Sequence, residues 1–266
     1  MEAITGVFET RSAAEHALES LHQAGIPSDK LTLLTPGSAD RIDREIQSVP
    51  TDTTEQPGMG NAIGALMGGG VGLAGGSILM ALVPGLGPVT ALGLLGAGIL
   101  TAAGATIGGV AGGKAENATY EGLPEDEIFV YEDALRKGRS VVIALADDEP
   151  SASSLRDLMK GEGAESVDAA REQWWTGLRD AEQGRYSKPG RNFAKDEQFF
   201  RLGFQAAMHA RTRCMEFDQV SAEMDATLED VKRRYPEADV EEPFLEGYQR
   251  GREHYQQLCD EDKKAA

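Results

Sequence analysis

The order of apolar and polar residues at the start of the chain predicts a strand, a helix and a second strand. An apolar run at 3–8 is followed by Ser12 and Glu15, which have the spacing of a helix capping box. A helical period of apolar residues then ends at Gly25, and an apolar run at 31–34 predicts the second strand. We therefore expect a βαβ segment here.

A related segment lies in the middle of the chain. Proline and acidic residues at 124–127 are typical of a helix start, Gly138 closes that helix, and 140–146 predicts a strand. Apolar residues at 154–159 predict another helix, and 165–167 predicts a short edge strand. Together the two segments predict an α+β fold, namely a ferredoxin-like βαβ/αβαβ domain split by an insertion.

The insertion is a block without any charged residue, which spans 56–113 and holds 19 of the 32 glycines. Two apolar runs, 61–83 and 89–113, are each long enough as helices to cross a hydrocarbon core of ~30 Å. High glycine content and the lack of alternation argue against strands. The block therefore predicts a helical hairpin, with a turn at Pro84, Gly85, Gly87 and Pro88.

Small residues recur at every fourth position of both runs, which forms a stripe along one helix face. Such stripes let helix backbones pack closely, as they do in lipid. The predicted packing residues are Gly60, Gly64, Gly68, Gly72, Gly76, Gly93, Ala97, Thr101, Ala105, Gly104, Gly108 and Gly112. A linker is the alternative, although linkers are rich in serine rather than in leucine, isoleucine and methionine. The hairpin is expected either in a membrane or buried among several copies of a soluble chain.

The charge of the chain restricts its partners. It carries 26 basic and 44 acidic side chains, a net charge of −18, which argues against binding to nucleic acid or to anionic lipid through a basic patch. Its two cysteines are too few for a disulfide scaffold. Because the start of the chain lacks the basic region of a signal peptide, we expect a cytoplasmic protein. Association with the inner membrane, with both charged parts on the cytoplasmic side, is the other expectation.

The last third of the chain predicts helices. A Pro/Gly break separates an amphipathic stretch at 174–186 from the helices that follow residue 195. The pattern F-x-x-G-[FY]-Q-x-[AG] occurs twice, 44 residues apart, at Phe200 and at Phe244. Either its Phe, Gly and Tyr residues pack helices together, or its aromatic residues form a face that binds a protein partner. The candidate interface comprises Trp174, Trp175, Phe200, Phe204, Phe244 and Tyr248.

No motif points to catalysis or to a cofactor. A GxGxxG pattern at 70–75 follows no predicted strand, and the glycines before Lys114 lack the Ser or Thr that a phosphate-binding loop needs after its lysine. Two H-x4-C pairs begin at His209 and His254, but this spacing leaves the side chains ~140° apart on a helix, so one helix cannot chelate zinc with both. We expect no catalytic residues, no cofactor and no metal.

Two segments resemble the bacterial heat-induced or general stress protein domain: GVFETRSAAEHALESLHQAGIPSDKLTLLT and GLPEDEIFVYEDALRKGRSVVIALAD. Members of that family are similar in carrying a glycine-zipper insert, and the resemblance covers residues 3–147. The helical tail resembles modules attached to bacterial stress and envelope proteins. The resemblance implies a role in stress and supplies no catalytic residues.

The sequence therefore predicts a non-enzymatic bacterial stress-response protein that self-associates or enters a membrane through its glycine-rich hairpin. A soluble homo-oligomer with hairpins at its core is the alternative, and a small-ligand sensor or enzyme is a further one. The expected partners are a second copy, a lipid bilayer and a protein bound by the tail. The expected divisions are 1–56 and 114–168 for the split domain, 57–113 for the hairpin, 169–192 for an amphipathic helix and linker, and 193–266 for the helical module.

Overall fold

The computed structural model describes residues 2–37, 78–83, 86–92, 125–186, 190–210, 212–213, 215 and 217–265. The chain divides into two compact units. The sheet unit comprises the described parts of Met1–Pro124 and Val130–Ala170, and the helical unit comprises those of Glu125–Phe129 and Arg171–Ala266. Each unit contains an apolar core of its own.

The sheet unit is built on strands β1 (Glu2–Phe8), β2 (Leu31–Pro36), β3 (Ile78–Val83), β4 (Gly87–Leu92), β5 (Ser140–Ala146) and β6 (Glu165–Ser166). Their order across the sheet is β3-β4-β2-β5-β1-β6, and every neighbouring pair is antiparallel. Strands β2 and β5 lie inside the sheet and are buried on both faces along most of their length. Both therefore appear in the sequence as continuous apolar runs. The predicted α+β class is confirmed.

The helices of this unit are α1 (Arg11–Gln23), α3 (Glu149–Gly161) and, apart from its first two residues, which belong to the helical unit, α2 (Ile128–Arg136). Helix α1 begins earlier than the predicted capping box, because the hydroxyl of Thr10 accepts a hydrogen bond of 3.2 Å from the amide of Ala13. The chain leaves these three helices through glycines with positive φ, a conformation that side chains other than glycine rarely adopt: Gly25, Gly138 and Gly163.

The core of the sheet unit lies where α1 and α3 cover β1, β2 and β5. Phe8 and Leu21 are completely buried there, and Met159 of α3 is nearly so. Burying such a side chain stabilises the fold by roughly 1.5–3 kcal/mol. These contacts join residues from the start of the chain to residues beyond 140.

The helical unit contains α4 (Val167–Arg185), α5 (Phe193–Ala207), α6 (Phe217–Arg234) and α7 (Glu241–Ala265). Helix α4 begins directly after β6, so its first residues still belong to the sheet unit. Asn192 caps α5 by accepting a hydrogen bond of 3.0 Å from the amide of Ala194. Apolar side chains of α5, α6 and α7 form a continuous core, which includes Phe199, Met224, Leu228 and Phe244.

The structure corrects the predicted helical hairpin at its centre. The described part of the uncharged block consists of strands β3 and β4, so the helical prediction is wrong at residues 78–83 and 89–92. The stretch 77–83 contains no glycine, and its large apolar residues suit a pleated strand once a partner strand is available. The remainder of the predicted hairpin lies outside the described residues.

Candidate assembly site

Strands β3 and β4 form an antiparallel hairpin that extends one side of the sheet. Their register runs from Ile78 opposite Leu92 to Val83 opposite Gly87. Strand β4 also pairs with β2, which places it between two neighbours, and β3 lies at the edge. The predicted apolar insertion thus contributes the outermost strand of the sheet within the described ranges.

The positions of two prolines show which backbone groups of β3 point away from the sheet. Pro36 lies opposite Val89 and Pro88 lies opposite Leu82, and proline has no N–H to give to a ladder. Both pairs must therefore be the non-hydrogen-bonded kind, which alternates with hydrogen-bonded pairs in antiparallel sheets. It follows that Ala81 and Val89 exchange hydrogen bonds.

The same alternation assigns the remaining residues of β3. Leu79, Ala81 and Val83 direct their N–H and C=O groups toward β4. Ile78, Met80 and Leu82 direct theirs away from the sheet. Within the part of the chain that the structure describes, no strand pairs with this outer edge.

The opposite edge of the sheet is short and charged. Strand β6 has two residues, and its Glu165 receives a hydrogen bond of 2.5 Å from the guanidinium of Arg139. Arg139 also lies 3.0 Å from a carboxylate oxygen of Glu9. Very short strands and charged side chains are common means of preventing edge-to-edge association. Strand β3 has six residues and no charge, so the two edges differ in their capacity to pair.

Of the predicted packing and turn residues, the structure describes only two, which belong to the turn. The glycine, alanine and threonine stripe from Gly60 to Gly112 lies outside the described residues. The chain does reverse direction between Val83 and Gly87, as the turn signal predicts, but it connects strands rather than helices. Gly87 and Pro88 belong to β4, whereas Pro84 and Gly85 lie outside the described residues.

The predicted partner-binding aromatic residues are interior residues of the helical unit. Phe200, Phe204 and Phe244 are almost completely buried, and Trp174, Trp175 and Tyr248 expose less than a twentieth of their surface. Trp174 lies 4.7 Å from Phe129 and 5.7 Å from Phe204, measured between ring centroids. The interpretation of this set as an exposed docking face is therefore corrected, since the rings pack against one another.

The repeated glycine motif brings α5 and α7 into backbone contact. A Cβ atom added at Gly203 would lie 1.9 Å from the carbonyl oxygen of Phe244, and one added at Gly247 would lie 1.9 Å from that of Phe200. One turn further on, a Cβ atom added at Gly251 would lie 2.5 Å from the carbonyl oxygen of Phe204. Residues four positions further along α7 meet residues four positions further along α5, so the two helices run parallel. The interpretation in which this motif packs helices together thus describes its glycines, whose G-x3-A and G-x3-G spacing is typical of closely packed helices.

Ion pairs within the helical unit satisfy one partly buried carboxylate, that of Glu197, and one buried carboxylate, that of Glu182. Glu197 binds Arg179 through two hydrogen bonds of 2.8 Å and accepts a third, of 2.9 Å, from the indole of Trp175. Arg179 and Trp175 hold the pKa of Glu197 below its usual range. Burial alone would raise the pKa of Glu182, but Arg250 and Arg185 outweigh burial and lower it. These contacts stabilise the fold and leave the carboxylates ionised at neutral pH.

A shallow depression of about 630 Å³ lies along the start of α7. Its charged groups have partners: Arg191 lies 2.9 Å from Asp239, and Lys232 lies 2.8 Å from Glu241. Paired surface charges beside one helix do not bring an acid and a base onto a substrate, so this surface does not suggest catalysis.

Histidine, serine and carboxylate groups do meet between α1 and α3. Glu162 accepts hydrogen bonds of 2.8 Å from Ser20 and from the ring of His16. The Ser20 hydroxyl donates its hydrogen bond to the Glu162 carboxylate and not to the imidazole, so His16 does not activate it as a nucleophile. Across the described residues, no group of three or more His, Cys, Asp or Glu side chains could hold a metal ion.

The described helices include none that is both long and apolar enough to cross a membrane. No protein-family model, curated protein or solved structure matches the chain.

Proposed function

We propose that this chain is a non-catalytic assembly protein whose copies associate through the uncharged block at 56–113. The observation that carries the proposal is β3, a six-residue apolar strand without charge that lies at the edge of the sheet formed by the described residues. Unprotected edges of this kind associate with other chains.

The distribution of charge supports the same function. All charged side chains lie outside 56–113, and their sum is −18. Two copies that approach through any other surface bring net negative charge together, which opposes association. Contact through the uncharged block avoids that repulsion at the interface itself.

The resemblance noted in the sequence would assign such an assembly to a bacterial stress response. We further assign the sheet unit to the ferredoxin-like type. The order β2-β5-β1-β6, with α1 between β1 and β2 and α3 between β5 and β6, supports that assignment. The helical unit would then be an accessory with a closed core of its own.

Sedimentation velocity of the full chain without detergent, over a range of protein concentration, tests the proposal. We expect a discrete oligomer that Leu82→Lys on β3 dissociates. Leu245→Lys is the matched control, because Leu245 is a partly exposed residue of the helical unit and the chemical change is the same. A monomer at all concentrations would refute the proposal, as would recovery only from membranes with detergent.

A further inference from the structure

We propose that β3 of one copy pairs antiparallel with β3 of a second copy, about a two-fold axis at Met80. This inference rests on the proposed function, because it names the partner of the same edge. The sheets of the two copies would join into one continuous sheet of twice six strands.

The outward backbone groups of β3 are suited to this pairing. Ile78, Met80 and Leu82 carry the outward N–H and C=O groups, as the prolines require. In a two-fold arrangement Met80 faces Met80 of the second copy, and Ile78 faces Leu82 of the second copy. Each such pair exchanges two hydrogen bonds, so the three pairs form about six.

A second copy is favoured as the occupant by charge and by symmetry. The edge is neutral along all six residues, so two copies can meet there without placing acid against acid. An antiparallel edge is complementary to itself, and closed two-fold dimers are the commonest symmetric assembly. A charged peptide partner would find no opposite charge on this strand.

Disulfide trapping tests the register. The Cα atoms of a hydrogen-bonded pair lie roughly 5.5 Å apart, a distance that a disulfide can bridge, whereas those of diagonal neighbours lie roughly 7–8 Å apart, too far for a disulfide. In a chain whose two native cysteines are replaced by serine, Met80→Cys should form a disulfide-linked dimer under mild oxidation. Ala81→Cys is the matched control: its counterpart in the second copy is a diagonal neighbour, so it should crosslink much more slowly.

Proline substitution tests the backbone contacts. Met80→Pro removes an N–H group that points away from the sheet. The N–H groups of β3 that pair with β4 are unchanged, so circular dichroism should show a folded sheet. The substitution removes two hydrogen bonds across the axis, and the dissociation constant of the assembly should rise at least about tenfold. Trapping by Met80→Cys, done on a chain with an intact β3, stands independently if the proline variant fails to fold.

The outcomes separate this inference from the proposed function. An oligomer that persists with Met80→Pro, and that neither cysteine variant crosslinks, would overturn the pairing of β3 with β3. The uncharged block would remain the association element in that case. Residues of the same chain would then cover the edge of β3. Equal trapping by both cysteines would also overturn it, since the register would be absent. A monomeric full chain, or binding only to phospholipid vesicles, would overturn both proposals.

Discussion

Replacing Gly203 by alanine tests whether backbone contact between α5 and α7 holds the helical unit together. The added methyl carbon would lie 1.9 Å from the carbonyl oxygen of Phe244 and 2.9 Å from the amide nitrogen of Tyr248. Because both neighbours are backbone atoms of a long helix, no side chain can rotate away. The helices must separate instead.

The size of the effect follows from this distance. Cβ atoms essentially never come within 3.0 Å of another heavy atom, so the helices must move apart by about 1.1 Å, the difference between 3.0 and 1.9 Å. A gap of roughly that size removes about a quarter to a half of the dispersion energy of each contact along the interface. Overpacking usually costs about 1–3 kcal/mol, and we expect Gly203→Ala to reach the upper end, about 3 kcal/mol. That corresponds to a fall in Tm of roughly 12 °C for a unit of this size.

Tryptophan fluorescence during urea unfolding measures this change selectively, because both tryptophans of the chain, Trp174 and Trp175, lie in the buried aromatic cluster of the helical unit. Gly177→Ala is the matched control, since nothing lies within 4 Å of its Cβ position on α4. That variant should be stabilised by about 0.5–1 kcal/mol through higher helix propensity. Equal midpoints for the two variants would refute the account of the α5–α7 contact.

Two further predictions concern the carboxylates of the helical unit. Arg250→Gln should lower the unfolding free energy by about 2 kcal/mol, because Glu182 stays buried and keeps only Arg185 as a partner; urea unfolding of Arg233→Gln, on an exposed pair, should differ from the parent by less than about 0.5 kcal/mol. The pKa values of Glu182 and Glu197 are lowered from an ordinary value of 4.5, so the stability they contribute is fully present above that pH and is lost as the pH falls below it. Urea midpoints measured between pH 6 and pH 3 should decline, and less steeply in Glu197→Gln; an identical slope would contradict the assignment to this group.

The strands and helices that could be predicted from sequence are those with a strong local signal. The run at 140–146 predicts a strand because six of its seven residues are apolar and three of them, Val141, Val142 and Ile143, are β-branched, and Gly138 before it marks a helix end that needs positive φ. Such signals depend on a few neighbouring residues. They do not specify which strands pair, and the place of β5 between β1 and β2 follows from contacts between residues more than 100 positions apart.

The uncharged block shows where local signals mislead. The spacing of small residues at every fourth position predicts a helix, and the predicted helix includes 77–83, where no glycine occurs. A short apolar run fits a buried helix or a strand equally well by periodicity. What makes it a strand is the pairing of β4 with β2, from Leu33 opposite Leu92 to Pro36 opposite Val89, and that partner lies far away in the sequence.

The repeated F-x-x-G motif differs from the uncharged block, because its helices are predicted correctly. Tertiary contacts decide whether its aromatic residues are exposed or interior. Phe200 and Phe244 would suit an exposed interface or an interior one, and only the meeting of α5 with α7 buries them. Once Gly203 and Gly247 have brought the backbones together, the aromatic residues have no exposed face left. The helical unit thus uses its small residues within one chain, whereas the outward N–H and C=O groups of β3 meet no other strand among the described residues. That difference is why we assign association between copies to the sheet unit.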